Sequence, residues 1–284
     1  MTVPPSLLFV FGMGYSARRL ATRLVPDGWQ VVGTTRRSTG NLGAGVEAVQ
    51  WGGEAVVEPP SGAHWLVTVP PDAGGCPAAR AAGASAQAAA SVTYLSTTGV
   101  YGDLGGGWAM EWSPVNPVSD RAKARQLAER QWLEATDGRA RLVRLPGIYG
   151  PGRSPFARLR EGTATRVVKP GQVFSRVHVD DIASGLVALM ARPDAHGVFH
   201  LCDDEPAPPQ DVTAFAAELL GVTPPPETDF GTADLSPMAR SFYAECKRVS
   251  NARTKAALGW RPEFPTYRDG LRAVLAEESQ AAAI

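Results

Sequence analysis

The chain has 284 residues, enough for one large domain or for a nucleotide-binding domain with a smaller lobe. Its hydrophobic content of 44% and charged content of 20% are those of a soluble globular protein. A formal net charge of zero argues against nucleic acid or an acidic membrane surface as the main partner. Cys76, Cys202 and Cys246 are odd in number and far apart, and the first apolar run is too short to span a membrane. We therefore expect a reduced cytoplasmic protein with no membrane segment.

The first 35 residues have the pattern of a βαβ unit. The unbroken apolar run from Leu7 to Phe11 predicts a strand buried on both faces. It is followed by Gly12-x-Gly14-x-x-Ala17 and by leucines at helical spacing, which end at Pro26-Asp27-Gly28. A second apolar strand is predicted from Gln30 to Thr35. In this context the glycines indicate a dinucleotide site.

Each small residue of the glycine turn has a physical role in such a site. Gly12 permits a tight turn, and Gly14 has no Cβ to keep a pyrophosphate away from the backbone. Ala17 lets the helix pack closely on the strand. The helix N-terminus offers unpaired N–H groups and a partial positive charge to the phosphates. We therefore include Tyr15 and Ser16, the first helical residues, among the cofactor-binding residues.

The end of the second strand predicts which dinucleotide is bound. A site that prefers NAD places Asp or Glu there, about 20 residues past the glycines, to bond the ribose 2′-hydroxyl. This chain has Thr34, Thr35, Arg36 and Arg37 instead. Two guanidiniums can form charged hydrogen bonds to a 2′-phosphate, although a solvated arginine pair in a loop is the alternative. We expect NADP, with NAD still possible.

Strands and helices alternate along the rest of the chain, which predicts an α/β fold with a parallel sheet. The expected strands are Glu47–Trp51, His64–Val69, Val92–Ser96, Leu142–Pro146, Val173–Val179 and Val198–Leu201. The expected helices are Ala78–Ala90, Ser119 or Asp120 to about Ala135, Asp180–Met190, Val212–Leu220, Asn251–Leu258 and Tyr267–Ala276. We assign residues 1–150 to an NAD(P)-binding Rossmann domain. Residues 151–284 are assigned mainly to a C-terminal α/β substrate lobe, with elements that return to the Rossmann domain.

Two strand ends supply further cofactor candidates. The strand that begins at His64 is followed by Pro70, and its end is expected to face the adenosine half of the cofactor. We therefore include Val69 and Pro70. The predicted set of cofactor-binding residues is completed by Pro146 and Ile148. They lie where the sixth strand ends and the loop 147–152 begins.

Several motifs in this order carry a resemblance to a known family. They are the glycine turn, Ser96-Thr-Thr-Gly-Val-Tyr101-Gly, Arg144-Leu-Pro-Gly-Ile-Tyr149-Gly-Pro, Val177-His-Val-Asp-Asp181 and Leu258-Gly-Trp260-Arg-Pro262. The chain resembles the extended short-chain dehydrogenase/reductases, the NAD-dependent epimerase/dehydratase family, over nearly its whole length. The resemblance implies a doubly wound Rossmann sheet of about seven strands and a small C-terminal lobe.

The catalytic residues of that family are only partly present. Family members act with a Ser/Thr after the fifth strand, which corresponds to Thr97, and with a Tyr-x-x-x-Lys pair, whose positions hold Arg121 and Arg125. The family tyrosine shuttles a proton while hydride moves, and the lysine binds the ribose and lowers the tyrosine pKa. Arg121 cannot shuttle a proton because a guanidinium is effectively never deprotonated. Arg125 can still hold the ribose or stabilise an oxyanion.

Three other side chains are candidates for the missing acid or base: Tyr101, Tyr149 and His178. Each has a structural alternative, the tyrosines as packing residues and His178 as a hydrogen-bonded histidine. We take Thr97, Tyr101 and Arg125 as the catalytic candidates. The remaining histidines have no partner at ligand spacing, so no metal site is expected.

Three functional alternatives remain open at this point. The first is an NAD(P)-dependent oxidoreductase or epimerase that acts on a polar small molecule with a non-standard acid/base set. The second is a catalytically inactive sensor that reports NADP(H) to a partner, and a third, weaker alternative is a relic without cofactor. The resemblance also implies a homodimer through the helix 119–135, a surface made basic by Arg121, Lys123, Arg125 and Arg130.

Overall fold

The computed structural model describes residues 6–36 and 42–282. Its strands are β1 (Leu7–Phe11), β2 (Gln30–Thr35), β3 (Val46–Gln50), β4 (His64–Val67), β5 (Ser91–Thr97), β6 (Trp108–Ala109), β7 (Arg141–Leu145), β8 (Gly147–Tyr149), β9 (Arg166–Val168), β10 (Arg176–His178), β11 (Gly197–His200), β12 (Glu227–Asp229) and β13 (Arg248–Val249). Its α-helices are α1 (Tyr15–Leu24), α2 (Pro77–Ala82), α3 (Asp120–Ala135), α4 (Phe156–Arg160), α5 (Val179–Met190), α6 (Pro209–Leu220), α7 (Pro237–Phe242), α8 (Ala252–Leu258) and α9 (Tyr267–Ala282).

Seven strands form one parallel sheet in the order β3-β2-β1-β4-β5-β7-β11. The order reverses at β1, which lies between β2 and β4. Ligands of doubly wound sheets bind at such a switch point, beyond the carboxyl ends of the strands. The predicted fold class, a doubly wound Rossmann-type sheet, is confirmed.

The apolar runs of the sequence are explained by helices on both faces of this sheet. One hydrophobic core lies between the sheet and α1 and α5, and includes Leu20, Ile182 and Leu186. The other core lies on the opposite face under α2 and α3, and includes Trp65 and Trp132. A strand that is covered on both faces carries apolar residues at consecutive positions instead of alternate ones.

The second half of the chain contributes to two parts of the molecule. β11 is the edge strand of the main sheet, and α5 packs against α1. Helices α4, α6 and α9 surround a separate core that includes Tyr149, Phe156, Tyr267 and Leu271. Three parallel strand pairs, β8 with β10, β9 with β12 and β6 with β13, lie outside the main sheet.

The structure corrects several predicted elements. The helix expected over Ala78–Ala90 ends at Ala82 and continues as a 3-10 helix from Gly83 to Ala88, since glycine is a poor α-helix former. The loop expected at 147–152 begins with the strand β8. The strand expected over Val173–Val179 is shortened to β10, and the last helix continues six residues beyond Ala276. Elements of two to six residues, such as β6, β9 and α7, were missed because they are too short to show a period.

Candidate nucleotide-binding site

The glycine turn connects β1 to α1 and is tied to the end of β2. Gly12 has φ +92°, a backbone conformation that side chains rarely adopt. Its N–H donates to Thr34 Oγ1 at 2.8 Å, and Met13 N–H donates to Thr34 O at 3.1 Å. A Cβ at Gly12 would lie 2.8 Å from Val69 Cγ1. Both the turn and its close contact with the chain after β4 therefore require glycine at position 12.

Gly14 is the N-cap residue of α1 and faces open space. It has φ −84°, which any residue adopts, and a Cβ there would meet only Thr68 Oγ1, at 3.9 Å. No side chain caps the helix, and no acidic residue lies in its first turn. The N-terminus of α1 is thus sterically accessible and carries uncompensated positive dipole charge, which fits a pyrophosphate.

The first two residues of α1 have different surroundings. Ser16 is buried. The Tyr15 hydroxyl donates to Pro151 O at 2.9 Å, and the guanidinium of Arg153 lies 4.4 Å from the centre of its ring. The Tyr15 side chain therefore connects α1 to the segment after β8. A contact of this residue with a nucleotide is expected from its main-chain N–H.

A cleft of about 310 Å³ opens beside the glycine turn. It is lined by Gly12, Met13 and Gly14, by residues 34–36, 51–53 and 68–70, and by Pro77. The structure thus brings together five predicted cofactor residues: Gly12, Gly14, Arg36, Val69 and Pro70. Arg37, the other predicted 2′-phosphate ligand, lies outside the described residues. Among the described residues that line the cleft there is no carboxylate.

Sequence reasoning missed the part of the cleft that follows β3. The Trp51 indole is buried, donates from Nε1 to Ala55 O at 2.9 Å, and packs edge-on against Phe11. Gly52 and Gly53 come next, and a Cβ on either would meet no heavy atom closer than 4.0 Å. The glycine pair that follows the strand predicted over Glu47–Trp51 was the available signal.

Thr97 and Pro146 lie at the same edge of the sheet as the glycine turn. Thr97 ends β5 and pairs in register with Leu145, the last residue of β7. Its Oγ1 accepts the N–H of Gly99 at 3.1 Å. Pro146 and Ile148, both half-buried, follow directly after that end of β7. These predicted residues therefore lie at the carboxyl edge where ligands of this sheet type bind.

The two arginines at the family's Tyr and Lys positions point to different places. Arg121 is exposed at the start of α3. Arg125 Nη1 donates to Tyr94 Oη and to Leu95 O, both at 2.9 Å. The Arg125 guanidinium is therefore hydrogen-bonded to β5.

Tyr101 lies in a buried hydrogen-bond network. Its hydroxyl is 2.6 Å from His200 Nε2 and accepts from Arg144 Nη1 at 2.9 Å. His200 Nδ1 lies 2.8 Å from Ser250 O. A carbonyl can only accept, so Nδ1 carries the imidazole proton and Nε2 accepts from Tyr101. The hydroxyl therefore already donates one hydrogen bond and accepts another, and the side chain is fully buried. These surroundings favour a packing role for Tyr101 over acid/base chemistry.

The same network continues from β7 to Glu129 of helix α3, a residue that the sequence analysis did not identify. Arg144 donates to both oxygens of Glu129, at 3.0 and 2.7 Å, and Ser96 Oγ donates to Glu129 at 2.6 Å. All three side chains are buried. A bidentate pair with a further donor neutralises both charges, as a buried ion pair requires. The network fixes β5, β7 and α3 relative to one another, beside Thr97.

His178 and Tyr149 have structural surroundings too. His178 Nδ1 accepts the Asp180 N–H at 3.2 Å as the N-cap of α5, and its ring packs on Phe264 at 4.3 Å. Burial lowers the pKa of His178 to about 4, so the imidazole is neutral near pH 7. Tyr149 is buried against α9, and burial is also the main cause that raises its pKa.

Within residues 6–36 and 42–282, no group of three or more His, Cys, Asp or Glu side chains is arranged to hold a metal ion. In the same residues, no helix combines the length and the apolar character that a membrane crossing requires.

The fold and this cleft define a dinucleotide-binding protein of Rossmann type. The model of the NAD dependent epimerase/dehydratase family matches residues 76–202. A conserved protein of unknown function from Silicibacter pomeroyi has 48% sequence identity, with 95% of this chain and 98% of that chain covered and a TM-score of 0.88. The chain belongs to the NAD-dependent epimerase/dehydratase family, whose cofactors are nicotinamide dinucleotides.

Other known proteins are similar to this chain at lower identity or over a shorter stretch. The human epimerase family protein SDR39U1, solved with NADPH, shares the fold at 16% identity, with 94% of this chain and 98% of that chain covered and a TM-score of 0.77. A 3-diazoavenalumate denitrifying reductase from Streptomyces is 37% identical over 164 residues, 53% of this chain and 52% of that protein. Protein YeeZ of Escherichia coli K12 is 31% identical over 137 residues, 47% of each chain. The chain spans about half the length of the curated relatives it matches.

Proposed function

We propose that this protein is an NADP(H)-dependent oxidoreductase that acts on a polar small molecule. The observation that carries the proposal is the cleft beside the glycine turn, where Arg36 lies at the end of β2 and no carboxylate is found among the described lining residues. An acidic residue there would repel a 2′-phosphate, whereas a guanidinium forms strong hydrogen bonds with it. The Streptomyces relative is named as a reductase, which supports the reaction type.

The chain's own groups have separate parts in this proposal. The uncapped N-terminus of α1 holds the pyrophosphate, and Gly14 leaves room for it. The nicotinamide would supply or accept the hydride. The Thr97 oxygen accepts the Gly99 N–H, so its own hydrogen is free to bond an acceptor atom of the substrate. The network of Glu129 and Arg144 positions Thr97 through its neighbour Ser96.

The cofactor part is tested by calorimetric titration with NADP⁺ and NAD⁺. We expect NADP⁺ to bind roughly 10- to 100-fold more tightly, equivalent to about 1.5–3 kcal/mol from charged hydrogen bonds. Arg36→Ala, alone and with Arg37→Ala, should reduce this preference. Arg158→Ala removes an exposed arginine of α4 and serves as the control. Equal affinities in the wild type, or an unchanged preference in the double variant, would contradict NADP selection.

A catalytically inactive NADP(H) sensor is the second candidate. The observation that favours it is the pair Arg121 and Arg125, since neither guanidinium can shuttle a proton and Arg125 already bonds Tyr94 and Leu95. If the protein is an enzyme in which Arg125 also anchors the ribose, Arg125→Ala should weaken cofactor binding by about 1–3 kcal/mol.

One assay separates the two candidates. NADPH oxidation is followed with a panel of nucleotide sugars and small carbonyl compounds, for the wild type and for Arg121→Tyr/Arg125→Lys. Turnover in the wild type that falls in the double variant supports the oxidoreductase, because the change disturbs a working site. Tight NADPH binding without wild-type turnover across the panel supports the sensor, and slow turnover that appears only in the double variant does so as well.

A further inference from the structure

A second cavity lies at the opposite edge of the main sheet from the nucleotide cleft. Its volume is about 240 Å³, and it opens where β5, β7 and β11 begin. Its polar lining consists of Ser91, Thr136, Arg139, Arg141, Asp194 and His196. We propose that this cavity binds a small oxyanion of the phosphate type, with Arg141 as its main ligand. This inference is independent of the proposed function.

Arg141 carries a buried charge without an ionic partner. Arg141 is 1% exposed, and its guanidinium forms no ion pair with any carboxylate in the described part of the chain. Nε donates to Ala195 O and Nη2 donates to Arg192 O, both at 2.8 Å. Nη1 is buried and has no hydrogen-bond partner. A buried guanidinium is costly unless it is paired and hydrogen-bonded, so an anion would remove an existing deficit.

The structural role of Arg141 explains only part of this arrangement. The two carbonyls that it binds follow the C-terminus of α5, where the helix dipole is negative and favours a cation. That dipole amounts to about half an elementary charge. The carbonyls of Arg192 and Ala195, in the turn after α5, accept from two of the three guanidinium nitrogens and account for the orientation of Arg141, but Nη1 is left without an acceptor.

Two arginines, Arg139 and Arg141, and one carboxylate, Asp194, are the charged side chains among the described residues that line the cavity. Asp194 is exposed and its charge partly offsets that of Arg141, without contacting the guanidinium, and Arg139 and His196 lie exposed at the mouth. Burial, together with the charge of Arg141, lowers the pKa of His64, which bonds Ser91 in the cavity wall. Burial lowers the pKa of Arg141 itself to about 10, so it stays charged at neutral pH. An oxyanion with several acceptor atoms matches a guanidinium with unpaired N–H groups.

Thermal unfolding in inorganic phosphate, compared with chloride at equal ionic strength, tests the proposal. We expect phosphate to raise the wild-type Tm in a saturable way, because a ligand of the folded state stabilises it. Arg141→Met should abolish the rise and Arg139→Gln should weaken it, whereas Arg158→Gln, a matched exposed arginine, should leave it unchanged. No phosphate-specific rise in the wild type would overturn the proposal, and so would an equal rise in Arg141→Met.

Phosphate can also bind at the N-terminus of α1, so the two sites must be distinguished. Gly14→Val should remove a rise that originates at the nucleotide cleft, and Arg141→Met should leave that rise intact. The opposite pattern is expected for the second cavity. A phosphate effect that is lost in Gly14→Val and kept in Arg139→Gln would place the anion in the cleft and contradict the proposal.

A crystallographic measurement covers the case in which Arg141→Met does not fold. Wild-type crystals soaked in selenate, a phosphate-shaped anion with an anomalous signal, should show a peak within hydrogen-bond distance of the Arg141 guanidinium. Selenate peaks confined to the glycine turn or to exposed arginines would overturn the assignment.

Discussion

Gly12 and Gly14 lie two residues apart in one turn, yet the surroundings of the two positions differ. At Gly12 the backbone has a positive φ, and an added Cβ would clash with Val69. At Gly14 the backbone is ordinary and the space is open, so the fold itself would accept a side chain there. The sequence motif treats the two positions alike, whereas in the structure only Gly12 is required by the fold, and the need for glycine at position 14 follows from the proposed binding of a pyrophosphate.

This difference predicts opposite effects of substitution. Gly14→Val should abolish NADP(H) binding with little change in stability, since the isopropyl group would occupy the space of the pyrophosphate. Gly12→Ala should lower the free energy of unfolding by about 1–3 kcal/mol through strain and overpacking. Urea unfolding and calorimetric titration measure the two effects. Normal nucleotide binding by a folded Gly14→Val protein would show that the phosphates lie elsewhere.

Asp203 is a buried carboxyl with an unusual titration. It is 2% exposed, and no side chain within the described residues donates a hydrogen bond to its carboxyl group. Burial raises the pKa of Asp203 to about 8, against the lowering effects of the Arg176 charge and of the main-chain N–H groups of Arg176 and Glu205. The carboxyl is therefore mostly protonated at neutral pH in the folded protein and ionised in the unfolded chain.

The raised pKa of Asp203 predicts how the stability of the protein changes with pH. Between about pH 4 and pH 8 the folded state binds more protons at Asp203 than the unfolded state, so this group makes stability fall as the pH rises. Asp203→Asn cannot ionise and should gain stability relative to the wild type over this interval. Urea unfolding at pH 5 and pH 8 measures the gain, with the exposed Asp234→Asn as control. A difference between wild type and Asp203→Asn that is the same at both pH values would refute the expectation.

At the scale of elements, the last helix is positioned by a close contact with β8. A Cβ at Gly270 in α9 would overlap the hydroxyl of Tyr149 and lie 2.7 Å from its Cζ. Tyr149 and Tyr267 belong to the hydrophobic core that α9 completes. The absence of a side chain at Gly270 is what allows α9 to approach β8 closely.

Gly270→Ala should therefore destabilise the protein, although alanine is normally favoured over glycine in a helix by about 1 kcal/mol. Overpacking at a rigid contact costs about 1–3 kcal/mol, which exceeds that gain. Ser279→Ala, at an exposed position of the same helix, should be neutral or slightly stabilising. The midpoint of urea unfolding measures both changes. A stabilised Gly270→Ala protein would mean that the helix can move away from Tyr149 at little cost.

At the scale of the whole molecule, the homodimer remains a prediction from the family resemblance. A dimer through α3 would bring the exposed Arg121, Lys123 and Arg130 of two copies together. Repulsion between exposed like charges is screened by salt. We expect weak association at low ionic strength that strengthens as salt is added.

Sedimentation equilibrium at about 50 mM and about 500 mM sodium chloride, between which the Debye length falls roughly threefold, measures this association. Arg121→Gln/Arg130→Gln should dimerise at lower protein concentration and lose most of the salt dependence. A stable dimer whose affinity is independent of salt and of this double variant would indicate a different interface.

The sequence by itself determined the main sheet and the turn at its centre. β1, β2 and α1 follow from an unbroken apolar run, two glycines and a helical repeat of leucines, all local signals within 35 residues. Buried parallel strands leave such runs because both of their faces must be apolar. Arg36 was assigned to the nucleotide from its charge after the second strand, and Val69 and Pro70 from their place at the end of the strand that begins at His64. The structure brings all three to one cleft.

Only the tertiary structure decided which polar residues are available for chemistry. Tyr101 follows β5 in a motif that is compatible with catalysis, but its hydroxyl is bonded by Arg144 and His200, 43 and 99 positions away in the chain. The unpaired charge of Arg141 depends in the same way on carbonyls that are more than fifty residues distant. Local patterns report burial and backbone conformation. The partners of a side chain are set by packing between distant segments, which no local pattern contains.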